Sequence, residues 1–245
     1  MMKIGIFQYR MKWEDKKSNK SKILKILDIS DLRGVDWIIF PEMSLSGFTT
    51  NIKIASLTDE DISFFVSLAK KYHINLSFGG VENKYNKFIT LNRNGDRISE
   101  YSKINLFTPA REDKVYKKGK RIITFDMEGF SVTPFICFDL RFPENFMKVR
   151  LKTTLYVVIA AWPYSRIEHW TTLLRARSIE NQSYVIGVNS IGEDNFGNEY
   201  KGYSCCYSPN GELVLDCQSR EGTSIADINP ETVFNTRENF KIIET

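Results

Sequence analysis

Histidine and cysteine are scarce in this sequence of 245 residues, which contains 2 histidines and 4 cysteines. The cysteines form no CxxC pair and have no histidine-rich segment beside them, so neither a structural zinc site nor a disulfide framework is expected. There is also no GxSxG segment, which leaves a Ser-His-Asp hydrolase poorly supported. We therefore predict no metal and no cofactor. The cysteines are Cys137, Cys205, Cys206 and Cys217.

Long apolar runs are also missing. The first residues, 1–7, are too short an apolar run for a signal peptide, and no later segment approaches a membrane span. We therefore expect a cytoplasmic protein with no membrane partner. The net charge of +4 is a small excess of 34 basic over 30 acidic residues, so we expect no nucleic-acid partner.

The sequence has enough apolar residues, 42%, to bury a substantial core, and it shows no repeat or linker. We predict a single α/β domain over residues 1–245 with a mixed sheet. Helices are expected at 16–32, 59–72 (with Asp59 as the N-cap), from about Pro143, and at 167–181. Strands are expected at 3–8, 36–40, 74–81, 87–92, 97–101, 121–126, 130–136, 155–160, 184–189, 203–207, 213–216 and 223–228.

Cys137 stands at the end of an apolar run, Val132 to Ile136, and polar residues follow it at once. This pattern places Cys137 at the C-terminal end of a strand, where ligand sites collect in α/β folds. A thiol there can act as a nucleophile if a base or a positive charge activates it. The alternative is that Cys137 is a small buried core residue.

Two further strand ends carry charged residues. The strand at 36–40 runs into Glu42, and Lys103 follows the last strand of the predicted meander. Glu112 lies in the charged loop that comes next. Taken singly, Glu42 could be a carboxylate near a helix start, Lys103 a solvated lysine and Glu112 an ordinary surface charge.

The segments around these residues resemble those of the carbon–nitrogen hydrolase (nitrilase) superfamily. The matching segments are Phe40-Pro41-Glu42-Met43, Tyr101-Ser102-Lys103 and Cys137-Phe138-Asp139-Leu140-Arg141-Phe142-Pro143, then Trp162-Pro163, Arg175 to Asn181 and Asn210-Gly211-Glu212. The resemblance covers nearly the whole chain. It implies a four-layer α-β-β-α sandwich with mixed sheets, and a homodimer or larger assembly.

Within that superfamily the sequence is most similar to the omega-amidases, which release ammonia from 2-oxoglutaramate and 2-oxosuccinamate. The resemblance implies that Cys137 attacks the amide and forms a thioester, with Glu42 as the base. Lys103 and the backbone N–H of Phe138 would stabilise the oxyanion, and Glu112 would orient Lys103 or the substrate. One departure is Ala161, which replaces the asparagine often found before the tryptophan, so a polar contact is absent and the substrate range is expected to shift.

A small amide substrate with a carboxylate needs a cationic pocket. Arg141 and Arg166 can each bind a carboxylate, and Trp162, Phe107 and Tyr116 are candidates for the pocket walls. The alternatives are a structural ion pair for Arg141 and core positions for the aromatic residues. His169 is expected to be a packed helix residue. The rival functions are a nitrilase, an N-carbamoyl amino-acid amidohydrolase, or a non-catalytic interaction protein on the same fold.

Overall fold

The computed structural model describes residues 1–242, and the last three residues of the predicted domain lie outside it. Within these residues the helices are α1 Lys16–Ile29, α2 Ile52–Ala55, α3 Asp59–Tyr72, α4 Glu112–Val115, α5 Pro143–Met147, α6 Ile167–Asn181 and α7 Pro230–Asn239. The strands are β1 Met2–Gln8, β2 Arg10–Lys12, β3 Trp37–Ile39, β4 Asn75–Glu82, β5 Tyr85–Leu91, β6 Arg97–Ser102, β7 Phe125–Met127, β8 Phe130–Ile136, β9 Leu155–Ala160, β10 Tyr184–Asn189, β11 Ile191–Glu193, β12 Glu199–Lys201, β13 Cys205–Tyr207, β14 Leu213–Asp216 and β15 Gly222–Ile228.

Most strands belong to two six-stranded sheets, and each sheet is mixed. The first has the order β15-β1-β3-β4-β5-β6, in which β1, β3 and β4 are parallel and the other pairs antiparallel. The second has the order β14-β13-β10-β9-β8-β7, in which β8, β9 and β10 are parallel. A third, three-stranded sheet has the order β12-β11-β2.

The two large sheets face each other, and helices cover their outer faces. Ile4 and Ile6 of β1 belong to the core between the sheets, whereas Phe7, on the other face of the strand, packs with α1 and α3. On the far side, Trp170 and Leu174 of α6 pack against the second sheet. Gly187 allows this close approach, because a Cβ there would lie 2.3 Å from Leu174. The predicted four-layer α-β-β-α sandwich is confirmed.

Most predicted elements are confirmed, but three strands are shorter than predicted. The strand predicted at 36–40 covers only Trp37–Ile39. The strand predicted at 121–126 is reduced to Phe125–Met127, because the preceding chain is held towards the first sheet by Gly119, whose N–H donates to the Lys103 carbonyl at 2.8 Å. The strand predicted from Tyr203 begins at Cys205, because Tyr203 has a φ of 57° and cannot continue a strand.

Helix boundaries differ from the predictions in two places. Helix α1 ends at Ile29 rather than residue 32, because Ser30 adopts an extended conformation. The N-cap of α3 is Thr58 rather than Asp59. Thr58 accepts a hydrogen bond from the Asp61 N–H, and the Asp61 carboxylate accepts one from the Thr58 N–H. This reciprocal pair satisfies two backbone donors at the start of the helix.

Candidate active site

Three strand ends from two different sheets meet at one place. Glu42 follows β3 and Lys103 follows β6, both in the first sheet, whereas Cys137 follows β8 in the second. The side chains of Glu42 and Lys103 are completely buried. The face-to-face packing of the sheets therefore brings together residues that lie far apart in the sequence.

Cys137 sits in a sharp turn. Its φ is 47°, in the left-handed region that non-glycine residues rarely occupy, and a 3-10 turn over Cys137–Arg141 begins with it. The buried carboxylate of Asp139 stabilises this turn by accepting hydrogen bonds from the Ile136 N–H at 3.1 Å and the Tyr101 hydroxyl at 2.8 Å. It also accepts one from the Asn105 N–H at 2.7 Å. Asp139 thus ties the cysteine turn to the loop that carries Lys103.

The Lys103 ammonium lies between two carboxylates. Nζ donates to Glu42 Oε1 at 2.9 Å and lies within hydrogen-bond distance of both Glu112 oxygens, Oε2 at 3.0 Å and Oε1 at 3.2 Å. Burial lowers the pKa of Lys103, but the charges of Glu112 and Glu42 outweigh burial and raise this pKa above its usual value. An ammonium has three N–H groups, so a further acceptor would have to replace the longest of these three contacts. Glu112 thus contacts Lys103 directly, and its orienting role stays a prediction.

Both carboxylate oxygens of Glu42 have hydrogen-bond donors. Oε1 accepts from Lys103 and from the side-chain amide of Asn86 at 2.7 Å, and Oε2 accepts from the Ala161 N–H at 3.0 Å. Gly79 packs against the backbone here, because a Cβ at this position would lie 2.8 Å from the Glu42 Cα. Glu42 is therefore held in a single orientation.

The environment of Cys137 keeps its thiol protonated. Burial raises the pKa of Cys137 well above its usual value, the negative charge of Glu42 raises it further, and the Lys103 charge opposes them. A nucleophile with a raised pKa must lose its proton to a base as it attacks. After burial, the charge of Glu42 is the largest influence on this thiol, which makes Glu42 the candidate base.

Cys137 and Lys103 open into a cavity of about 480 Å³. Aromatic and cationic side chains dominate its walls. The lining includes five residues predicted to contact a substrate: Phe107, Phe138, Arg141, Trp162 and Arg166. Arg111, Ala161, Asp194, Phe196 and Tyr200 also line it. The cavity therefore contains both a thiol and guanidinium groups.

Comparison with known proteins gives one decisive match. The sequence matches the carbon–nitrogen hydrolase family over residues 3–238, which is nearly the whole chain. The chain belongs to the carbon–nitrogen hydrolase family. It is accordingly a hydrolase acting on carbon–nitrogen bonds in amides.

Similar proteins cover almost the full length of this carbon–nitrogen hydrolase. It is 34% identical to a Staphylococcus aureus protein named hydrolase in agr operon, over 100% of this chain and 97% of the relative. It is 31% identical to the Escherichia coli omega-amidase YafV, over 98% of this chain and 94% of the relative. It is also 31% identical to a Bacillus subtilis 2-oxoglutaramate amidase, over 85% and 84% of the two chains.

One solved structure shows the same fold closely. A carbon–nitrogen hydrolase superfamily protein from Xanthomonas campestris superposes with a TM-score of 0.89 at 25% identity, covering 98% of this chain and 94% of that chain. In this carbon–nitrogen hydrolase, no helix within residues 1–242 is long and apolar enough to cross a membrane.

Two arginines of this carbon–nitrogen hydrolase lie against aromatic rings in the cavity. The Arg141 guanidinium stacks 4.8 Å from the Trp162 ring centroid, and the Arg166 guanidinium lies 5.8 Å from that of Phe107. Burial lowers the pKa of Arg141, and the neighbouring charge of Arg166 lowers it further. Two cations that repel each other in one cavity favour the binding of an anion between them.

The structure contradicts two expectations from the sequence, an ion pair for Arg141 and a packed position for His169. Its hydrogen-bond partner is not an acid but His169, whose Nδ1 lies 3.0 Å from Arg141 Nη2. His169 itself is exposed rather than packed, because it occupies the first turn of α6 at the edge of the cavity. Since the guanidinium can only donate, His169 Nδ1 is the acceptor of this hydrogen bond.

Tyr116 is not a wall of the cavity, which corrects another prediction. It is buried behind α4, where it packs with Met43, Ala55 and Val81. Its hydroxyl donates to the Thr49 carbonyl at 2.5 Å. Tyr116 therefore supports the segment after Glu42 from behind, since its apolar ring and its hydroxyl both find partners in the interior.

Several residues that shape the site carry no sequence signal. Asn86 lies within β5, where nothing in the pattern marks it as different from other strand residues. Ala161 contributes through its backbone N–H, which is independent of residue type. The hairpin that carries Phe196 and Tyr200 reaches the cavity only because β11 pairs with β2.

Proposed function

We propose that this carbon–nitrogen hydrolase is an omega-amidase that releases ammonia from 2-oxoglutaramate or 2-oxosuccinamate. The strongest support is that one cavity holds both the Cys137 thiol, backed by Glu42 and Lys103, and the guanidinium groups of Arg141 and Arg166. A substrate of this class has an amide that the thiol can attack and a carboxylate that a guanidinium can bind, so both groups find a partner in this cavity. The omega-amidase and 2-oxoglutaramate amidase relatives support the same substrate class.

The first half of the reaction forms a thioester. The Cys137 sulfur attacks the amide carbon while its proton passes to Glu42, and the carbonyl oxygen becomes an oxyanion. The Phe138 N–H donates to that oxyanion, as does the Lys103 N–H that exchanges its 3.2 Å contact with Glu112 Oε1 for the substrate oxygen. Losing one such donor typically costs about 3 kcal/mol of transition-state stabilisation. The carbon–nitrogen bond then breaks, and Glu42 returns the proton to the leaving nitrogen, which departs as ammonia.

The second half hydrolyses the thioester. A water molecule attacks the thioester carbon while Glu42 accepts its proton, and the same donors stabilise the second oxyanion. The carbon–sulfur bond breaks, the acid product leaves, and the Cys137 sulfur regains a proton from Glu42. Glu112 keeps Lys103 in place through both halves, because it accepts a hydrogen bond from Nζ at 3.0 Å.

Ammonia release from a substrate panel tests this proposal. The panel contains 2-oxoglutaramate, 2-oxosuccinamate, glutamine, a simple nitrile and an N-carbamoyl amino acid. We expect release from the two oxo-acid amides only, and its loss in Cys137→Ala. Cys205→Ala is the matched control, because Cys205 is a buried core residue outside the cavity.

Other results have distinct meanings. Activity on the nitrile or the N-carbamoyl compound alone would keep the three catalytic residues and replace the substrate, giving a nitrilase or an N-carbamoyl amino-acid amidohydrolase. Full activity in Cys137→Ala would overturn the mechanism.

We also propose that the protein acts in the cytoplasm as a homodimer.

A further inference from the structure

Asn86 lies beside both carboxylates of the site and is completely buried. Its side-chain nitrogen donates to Glu42 Oε1 at 2.7 Å and to Glu112 Oε1 at 2.9 Å. Its backbone carbonyl accepts from the Lys103 N–H at 2.9 Å. Asn86 thus contacts all three of the charged residues that surround the thiol.

The orientation of the Asn86 amide follows from these contacts. Turning it over would place its oxygen against two carboxylates, which accept hydrogen bonds and cannot donate while ionised. In the observed orientation, Oδ1 is buried without a hydrogen-bond partner among the described residues. A buried polar atom without a partner is costly, so the two N–H bonds to the carboxylates determine the position of the amide.

The charges explain why such a donor is needed. Glu42 and Glu112 share a single ammonium, so the three groups carry an excess negative charge when both carboxylates are ionised. Two negative charges held close together in the interior repel each other. The two N–H groups of Asn86 offset this repulsion without adding a net charge.

The same contacts determine which oxygen of Glu42 can take a proton. Oε1 already accepts from Lys103 and Asn86, whereas Oε2 accepts only from the Ala161 N–H. A carboxylate oxygen has about two acceptor positions, so Oε1 is saturated and Oε2 has one left. The thiol proton of Cys137 therefore has a place on Oε2.

We propose that Asn86 is a positioning residue that holds the Glu42 and Glu112 carboxylates in place beside Lys103 and directs the Cys137 proton to Oε2 of Glu42. This inference rests on the proposed function, because it assumes that Glu42 is the base. Asn86 does not touch the substrate. It acts through the two carboxylates.

Two isosteric variants test this role. Asn86→Leu removes the donors, and Asn86→Asp replaces them with acceptors. We expect kcat on 2-oxoglutaramate to fall roughly 10- to 100-fold in Asn86→Leu, the usual effect of losing hydrogen bonds to charged groups, with KM nearly unchanged. Asn86→Asp should lose more activity.

Thr90→Val is the matched control, since Thr90 is buried on the same strand and its hydroxyl bonds only Ser77, at 2.8 Å, away from the site. It should leave kcat and KM unchanged. Asn86 variants with wild-type kcat, or with a KM that rises as much as kcat falls, would overturn the inference. If Asn86→Leu does not fold, Asn86→Asp, which preserves the side-chain volume, gives the same test.

The two proposals fail in different ways. If Cys137→Ala stays active, the proposed function is wrong, and the Asn86 result no longer bears on Glu42 as a base. If Cys137→Ala is inactive while the Asn86 variants behave like wild type, only the inference about Asn86 is wrong.

Discussion

At the scale of single residues, the thiol of Cys137 is a weaker acid than a free cysteine. Burial and the charge of Glu42 both raise its pKa, and Lys103 compensates only in part. A pre-formed thiolate would show the opposite shift, as it does beside a histidinium or a helix N-terminus. The geometry favours proton transfer during the attack, with Glu42 as the acceptor.

This protonation state predicts the pH dependence of alkylation. The rate of Cys137 modification by iodoacetamide should be low at pH 7 and keep rising beyond pH 9, because the thiolate is the reactive form and a raised pKa leaves little of it at neutral pH. Mass spectrometry of the labelled peptide gives the rate, with Cys137→Ser as the blank. A rate that reaches its plateau below pH 7 would contradict the raised pKa.

His169 gives a second prediction at this scale. His169→Ala removes the partner that holds the Arg141 guanidinium at 3.0 Å, so KM for an oxo-acid amide should rise by roughly 2- to 10-fold, the worth of one hydrogen bond. Because His169 does not contact the thiol, kcat should change little. Glu168→Ala, at the exposed neighbouring position, is the control. Unchanged KM in both variants would show that Arg141 needs no support.

At the scale of secondary-structure elements, the approach of β4 to the segment after β3 positions Glu42. Gly79 of β4 has its missing side chain directed at the backbone, where a Cβ would lie 2.5 Å from the Met43 nitrogen. The next residue, Gly80, faces the other way, where a Cβ would lie 2.4 Å from the Leu57 side chain. Successive residues of a strand point to opposite faces of the sheet. A substitution at Gly79 therefore disturbs the backbone beside Glu42, whereas one at Gly80 disturbs only the packing against Leu57.

This arrangement predicts different effects for two alanine substitutions. Gly79→Ala should lower kcat/KM sharply. The added Cβ would clash with backbone atoms, which cannot rotate away as a side chain can, so Glu42 would be displaced. A displacement of about 1 Å can reduce the rate 100-fold. Gly80→Ala should reduce stability in urea while the folded fraction keeps its activity. Equal losses of kcat/KM in the two folded variants would contradict the assignment.

At the scale of the whole molecule, ion pairs set the acid limit of stability. Hydrogen bonds from Arg33 lower the pKa of Asp31 to about 2. Hydrogen bonds from Arg97 lower the pKa of Glu82 and outweigh the opposite effect of burial. For Asp61, burial raises the pKa, but hydrogen bonds from Lys16 and Lys20 outweigh it and the net shift is downward. A carboxyl group whose pKa is lower in the folded state stabilises the fold when the pH is above the pKa of the unfolded state. This stabilisation is lost as the pH falls through the pKa of the folded state.

The midpoint of urea unfolding should therefore fall as the pH is lowered from about 4 to about 2. Asp139 has the opposite sign: burial raises its pKa to about 7, so the folded state holds that proton more tightly and stability decreases as the pH rises from about 4 to 7. The highest urea midpoint is thus expected between these ranges. A midpoint that stays constant from pH 2 to pH 7 would contradict both assignments.

Assembly also belongs to this scale. Met147 and Leu151 are exposed by 52% and 58%, and Phe240 by 67%, on the outer face where Arg237 of α7 contacts the Leu151 carbonyl. We expect this face to be the interface of the proposed homodimer. Leu151→Asp should therefore convert the dimer to a monomer in analytical ultracentrifugation. Phe196→Asp, at the exposed mouth of the cavity, is the control. A wild-type protein that sediments as a monomer would refute the expectation.

The sequence by itself determined where the chemistry lies along the chain. Apolar runs end at Glu42 and Cys137, and a polar end of the meander carries Lys103, because strand periodicity and its interruption are local properties. The motifs around them were enough to predict the family and the four-layer fold. They were not enough to predict which strand ends share a sheet.

Only the tertiary structure decided how these residues meet. Asn86 and the Ala161 N–H reach Glu42 across separate strands, and no spacing in the sequence encodes a contact between such distant segments. The predictions for Tyr116 and His169 were wrong for the same reason: the packing of α4 and α6 against their neighbours, and not residue type, determines which side chains face the cavity and which face the interior or solvent.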